Sequence, residues 1–173
     1  MPGRGGVFRL GGGPNHASAT QLKAELTMEP TFAAPTGVER ALNRLLGAML
    51  RFGIGPSYLR LLEVRGRKTG RIYSTPVSLL EHDDKLWLVA PRGRTQWSKN
   101  VEASTELTLS RGSDRRRYKA RLTSVTERPP LLKRYLDAYA SAVQRFFTQR
   151  AGAPVEEFTS VAERYPVYEL LSA

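Results

Sequence analysis

Residues 58–80 read YLRLLEVRGRKTGRIYSTPVSLL, and their pattern decides the fold. YLRLLEV is a short run of strand formers, RGRKTG is a basic turn framed by glycines, and IYSTPVSLL resumes the strand pattern. Two such segments separated by glycine-containing turn chemistry predict an antiparallel hairpin.

The same pattern continues to residue 126. KLWLVAP follows the turn signal EHDDK, and TELTLSR and RRYKARLTSVT come later. Between them TQWSKNVEAS reads as a short helix with Thr95 as its cap. Sequential strands with short connections are antiparallel neighbours.

The ends of the chain differ. Residues 1–35 hold six of the fifteen glycines and read as a flexible, glycine-rich arm that cannot pack a core. From Thr36 the sequence TGVERALNRLLGAMLRFG is helical, with Thr36 as N-cap and Glu39 as its capping-box partner. Apolar residues at 38, 41, 42, 45, 46, 49 and 52 form one face, and Arg40, Arg44, Gly47 and Arg51 fall on the other. Two readings stand: a surface helix packed on the core, or a basic amphipathic helix, residues 37–52, in peripheral contact with an anionic membrane.

Downstream, PPLLKRYLDAYASAVQRFF places apolar residues at 132, 135, 136, 139, 143, 146 and 147, a 3.6-residue period. PVEEFTSVAER reads as a shorter helix, and YPVYELLS as a last strand whose leading proline suits an edge. The expected fold class is therefore α+β, with residues 36–173 forming one domain. It is a mainly antiparallel barrel or sheet with an N-terminal amphipathic helix and C-terminal helices.

Composition narrows the function. The balance of 27 Lys and Arg against 16 Asp and Glu leaves a net charge of +11, which implies a polyanionic partner: nucleic acid, an acidic membrane or an acidic small molecule. Cysteine is absent, which excludes thiolate nucleophiles and Cys-ligated metals. With only two histidines a three-His metal site is impossible, and no metal site is expected. A Ser-His-Asp relay would have to use His82 from the EHDDK turn. No apolar run reaches the length of a membrane span, and a cytoplasmic protein is expected.

RGRKTG is not a phosphate-binding P-loop, because its Lys-Thr precedes the closing glycine and strand formers follow. Its glycines, backbone amides and cations suit a phosphate, though they equally suit a charged hairpin tip. In RGSDRRRYKAR, strand parity puts Arg115, Arg117, Lys119 and Arg121 on one face and Tyr118 on the other. That separation counts against a nucleic-acid partner read by base stacking.

The order GRKTG, STPVSLL, a hairpin, KLWLVAPRG, TQWSKNV and RYPVYELL resembles the deazaflavin-dependent nitroreductase family over roughly residues 40–171. The resemblance implies a split β-barrel related to the FMN-binding barrels, with coenzyme F420 rather than FMN as cofactor. It implies that Arg67, Lys68, Thr69 and Gly70 hold the cofactor phosphate, with Arg92 adding to them. Thr75, Pro76 and Val77 match the strand beside the deazaflavin ring, Trp97 the tryptophan near ring and substrate, and Asn100 the asparagine after it. The family pattern usually has a base three places after the turn's closing glycine. Tyr73 stands there, and Arg71, two residues earlier on the same strand face, is expected to serve instead. Tyr139 matches the family's tyrosines near the substrate and is the candidate catalytic residue. The implied activity is hydride transfer from reduced deazaflavin to a quinone, an activated alkene (enoate) or a nitroaromatic. A non-catalytic cofactor- or lipid-binding barrel, or a basic nucleic-acid-binding module, remains the alternative.

Overall fold

Strand alternation and short turns close six strands into a barrel in the computed structural model, which describes residues 37–173. The expected arm at 1–35, the cap at Thr36 and its partner side chain on Glu39 lie outside the described residues. The chain begins with α1 (Gly37–Arg51), then β1 (Leu59–Arg65), β2 (Ile72–His82) and β3 (Lys85–Val89). Next come α2 (Gln96–Ser104), β4 (Glu106–Arg111), β5 (Asp114–Leu122), α3 (Arg128–Val143) and β6 (Val167–Ser172). The barrel order is β1-β2-β3-β6-β5-β4, with β4 returning to β1, and every pairing is antiparallel. This is the split β-barrel with flanking helices that the sequence predicted.

The turns form for local reasons. Asp83 and Asp84 both take left-handed backbone (φ 52° and 55°), which matches the twist of the hairpin joining β2 to β3. The Thr95 hydroxyl accepts from the Ser98 amide at 3.3 Å and starts α2 where expected. Two prolines enter the first turn of α3, where their missing N–H groups cost nothing.

Two apolar layers hold the fold. Leu62, Val64, Leu79, Leu88, Leu109 and Tyr168 fill the barrel. Leu80, Trp87 and Val89, on the outer faces of β2 and β3, pack against Leu132, Tyr135 and Leu136 of α3. Buried Arg128 ties the start of α3 to the chain around it. Its guanidinium donates to the Thr123 carbonyl at 2.9 Å and the Ala162 carbonyl at 3.2 Å.

Three expectations need correction. β6 lies between β3 and β5, so the last strand is not at an edge, and Val167–Leu170 are buried. Residues 155–164 form the shorter helix expected there, wound as a 3-10 helix. α3 is not continuous to residue 147: Tyr139 departs from helical geometry (φ −126°, ψ 25°), and residues 144–146 tighten to a 3-10 turn. The apolar face assigned to α1 is not the packed one. Gly47 and Leu50 are buried, whereas Val38, Leu42, Leu45, Met49 and Phe52 are exposed.

The β5 stripe is external, as strand parity required, with Tyr118 buried behind it. Half of its charge is already used within the protein: Arg115 pairs with Glu63 at 2.6 Å, and Arg121 pairs with Glu127 at 2.8 Å and Glu169 at 2.6 Å.

β2 is unevenly partnered along its length. Its residues 79–82 pair with β3, but residues 72–78 pair with β1 alone. Pro76 sits in this singly partnered half, where a strand tolerates a residue without an N–H.

Candidate functional site

The singly partnered half of β2 borders a cavity of about 690 Å³, within the range of small-molecule sites. Ser74, Thr75, Pro76, Val77 and Ser78 form one wall. The β1–β2 turn forms one end, the β3–α2 connection and α2 a second wall, the C-terminal end of α3 a third, and α1 contributes Asn43 and Leu46.

The turn is held from within and from across the barrel. The Gly66 amide donates to the Arg71 carbonyl at 2.7 Å, and Gly70, at φ +70°, donates back to the Gly66 carbonyl at 2.8 Å. A side chain at Gly70 would be strained by that backbone angle. At Gly66 the reason for glycine is space. An added Cβ would lie 2.4 Å from Tyr73 Cε2 and 2.9 Å from Thr69 Oγ1. The Tyr73 ring therefore lies directly on the turn, and its hydroxyl meets Thr69 Oγ1 at 3.1 Å.

Arg67 is fixed by α2. Its backbone N–H and Nη1 both donate to Asn100 Oδ1, at 3.3 and 2.8 Å, and its Nη2 donates to Gln96 Oε1 at 3.2 Å. Asn100 is buried and spans 33 residues of sequence to make these contacts. Its carbonyl oxygen thus orients a guanidinium without cancelling its charge. Lys68 beside it is exposed.

The opposite part of the cavity is also cationic. The guanidinium carbons of Arg92 and Arg145 lie 4.9 and 4.7 Å from the centroid of the Phe146 ring, and all three residues line the cavity. Cation–π attraction of this kind places two positive charges around one apolar plate. Trp97 stands between this region and the barrel interior, its ring 5.9 Å from that of Tyr168. Val89, Pro91, Ala142 and Val143 supply the remaining apolar surface.

Most residues singled out from the sequence meet in this one place. Arg67, Lys68, Thr69, Thr75, Pro76, Val77, Arg92, Trp97 and Asn100 all line the cavity. Gly70 and Arg71 belong to the turn but not to the lining, and Tyr73 occupies the wall position expected for Arg71. Tyr139 also falls outside the lining. Its hydroxyl donates to the Leu79 carbonyl at 2.7 Å, and its ring stacks 4.6 Å from Tyr58. Tyr135, one turn earlier, lines the cavity instead. Burial holds the phenols of both Tyr135 and Tyr139 above the usual tyrosine range, so each stays protonated.

Sequence reasoning did not single out Gln96, Tyr135, Arg145 or Phe146 as site residues. For Phe146 the helical period pointed to the core. The break at Tyr139 and the tightened turn at 144–146 leave it half-buried at the cavity. For Gln96 and Arg145 no local pattern carries a signal, because their positions follow from contacts across the fold.

A family model described as F420H(2)-dependent quinone reductase matches residues 38–156. A Mycobacterium tuberculosis protein, provisionally named an F420H(2)-dependent quinone reductase, is 33% identical over 98 residues, covering 53% of this chain and 82% of that protein. Among solved structures, the Agrobacterium tumefaciens protein Atu2129, described as of unknown function, is similar at a TM-score of 0.51 and 16% identity. That match covers 81% of this chain and 59% of the other, and it speaks to the fold alone. A structure described as an F420-H2 dependent reductase matches at a TM-score of 0.45 and 21% identity, covering 66% of this chain and 94% of its own.

Proposed function

Because the chain belongs to the F420H(2)-dependent quinone reductase family, a family of oxidoreductases, we propose that it binds coenzyme F420 in the cavity beside β2 and reduces a lipophilic quinone. Enoates and nitroaromatics are further acceptors for the same chemistry. The observation that carries this reading is the meeting of a cationic turn and an unpaired strand edge in one cavity.

The residues present fit the coenzyme, a planar deazaflavin with a phosphate and a glutamate-bearing tail. Lys68, Thr69 and the amides of the turn suit the phosphate, with Arg67 held in place by Asn100 and Gln96. Arg92 and Arg145 suit the remaining negative charge. Thr75, Pro76 and Val77 offer a flat, singly partnered strand to the ring system. FMN, with a phosphate but no acidic tail, fits the turn and leaves the second cationic pair without a role.

When bound, the reduced coenzyme supplies the hydride; the protein supplies orientation, electrostatics and a dry wall. A preorganised Arg67 lowers the ordering cost of binding an anion. Trp97, Val143 and Phe146 exclude water from the cavity wall. Burial raises the phenols of both Tyr135 and Tyr139, which keeps them protonated beside the cavity. Tyr135 forms part of the wall, and Tyr139 supports it through a ring contact at 5.2 Å. On this reading the protein works in the cytoplasm, with peripheral membrane contact through residues 37–52. Among the described residues, no helix is long and apolar enough to cross a membrane.

Fluorescence titration with F420 is the direct test. Absence of binding at tens of micromolar, about −6 kcal/mol, defeats the proposal. Binding without reduction of any quinone, enoate or nitroaromatic acceptor would make the protein a non-catalytic cofactor carrier. Salt-sensitive retention on DNA with no deazaflavin binding would make it a nucleic-acid module.

A further inference from the structure

The β1–β2 turn uses up its acceptors and keeps its donors. The Gly66 carbonyl accepts from the Gly70 amide, the Arg71 carbonyl from the Gly66 amide, and the Gly70 carbonyl from Arg65 Nη1 at 2.9 Å. The amides of Lys68 and Thr69 donate to nothing among the described residues. Two hydroxyls complete this donor-rich surface, and both belong to residues that line the cavity. They are Thr69 Oγ1 and the Tyr73 hydroxyl, 3.1 Å apart. Tyr73 is 47% exposed, and among the described residues its hydroxyl engages Thr69 alone.

A proton count gives this pair a direction. Thr69 Oγ1 accepts from the Arg71 amide at 3.4 Å, which leaves it one further lone pair and its own proton. An ionised phosphate group only accepts, so an anion in the turn draws the Thr69 proton to itself. The remaining lone pair on Oγ1 then takes the Tyr73 proton, and the two hydroxyls form a chain that ends on the anion. Each bond in such a chain polarises the next and strengthens it. The turn itself holds the Tyr73 ring in place for this role. Glycine at 66 admits the ring, where an added Cβ would lie 2.4 Å from Tyr73 Cε2.

We propose that Tyr73 is a positioning residue: its hydroxyl donates to Thr69 and thereby aims the Thr69 hydroxyl at the phosphate group of the bound cofactor. This rests on the reading that the turn takes that phosphate. Tyr73 adds no charge to the turn, so it fixes the direction of a donor without deepening the electrostatic attraction. The site then separates phosphate-bearing ligands from their phosphate-free cores by geometry as well as by the charge of Arg67 and Lys68.

Fluorescence titration of the full chain compares F420 with its phosphate-free deazariboflavin core, and FMN with riboflavin. Thr69→Val should weaken F420 binding about tenfold, the loss of one hydrogen bond to an ionised group. Tyr73→Phe keeps the ring over Gly66 and should leave Tm unchanged. It should weaken F420 binding roughly threefold, less than Thr69→Val because Thr69 keeps its own proton. In a Thr69→Val background the same change should do nothing further, since Tyr73 acts through Thr69. Thr69→Ser should bind like wild type, and neither Thr69→Val nor Tyr73→Phe should alter binding of the phosphate-free cores. Three results would overturn the proposal. Tyr73→Phe could bind F420 as tightly as wild type. It could cost as much in the Thr69→Val background, which would put Tyr73 on the ligand directly. It could weaken the phosphate-free core equally, which would make the effect one of ring packing. Wild type that binds FMN but not F420 would defeat the coenzyme reading, and the FMN and riboflavin titrations would then decide the role of Tyr73 by the same comparisons. Binding of neither would overturn both.

Discussion

Asn100 offers a sharp test of the site, because it lines the cavity and also orients Arg67. Its Oδ1 accepts from the Arg67 backbone N–H at 3.3 Å and from Nη1 at 2.8 Å. Asn100→Ala removes the acceptor of both bonds and leaves the Arg67 guanidinium without that partner. The stronger bond involves a charged donor and is worth about 1.5–3 kcal/mol, so a loss near 2 kcal/mol is expected. For a chain of this size that corresponds to a fall in Tm of roughly 4–8 °C. Asn100→Asp keeps an acceptor in the same place and adds a negative charge beside Arg67. It should therefore melt within about 1 kcal/mol of wild type, yet bind F420 about tenfold more weakly, a penalty of roughly 1.4 kcal/mol. Calorimetry and fluorescence titration on the two variants read the two effects independently. Should Asn100→Asp bind the coenzyme as tightly as wild type, the turn's positive charge is not what the ligand reads.

Gly66→Ala should destabilise the turn, since the new Cβ would lie 2.4 Å from the Tyr73 ring. The same change in a Tyr73→Ala background should cost much less, and equal losses in both backgrounds, by denaturant unfolding, would refute the packing argument. Tyr139→Phe removes the hydrogen bond to Leu79 O at 2.7 Å and should cost about 0.5–1.5 kcal/mol with kcat unchanged. A large fall in kcat would restore Tyr139 to a chemical role. Glu127 accepts from Arg121 and from Ser124, which lowers its pKa from 4.5 to about 2. A depressed carboxylate stabilises the fold above pH 4.5 and loses that contribution as pH falls toward 2. Melting temperatures of wild type should therefore drop more steeply across that window than those of Glu127→Gln; parallel curves would rule the linkage out.

The strands were legible because their signals are local: alternation within YLRLLEV and IYSTPVSLL, and turn chemistry in EHDDK and RGRKTG. The face of α1 that packs was not legible. A 3.6-residue period states that a stripe exists but not which surface covers it, and here the core took the side carrying Gly47 and Leu50. Much of the site was readable as residues but not as contacts. Arg67 and Asn100 are 33 positions apart, and nothing local indicates that one orients the other. Phe146 was hidden by its own periodicity, since a continuous helix would have buried it. The kink at Tyr139 that prevents this coincides with a hydrogen bond to a strand 60 residues earlier.

The half-partnered state of β2 has a consequence for how a ligand would be held. Main-chain groups of residues 72–78 that do not face β1 are open to hydrogen bonding from the cavity side. A flat molecule lying there takes the place of a missing strand, and recognition by peptide groups is indifferent to side-chain drift. Thr75 and Val77 can then change over evolutionary time while the ligand's position persists, whereas an insertion that shifts the β1–β2 register by one residue would disrupt it. Occupancy of the cavity would be recorded in the sheet itself, as slowed hydrogen exchange at amides along 72–78.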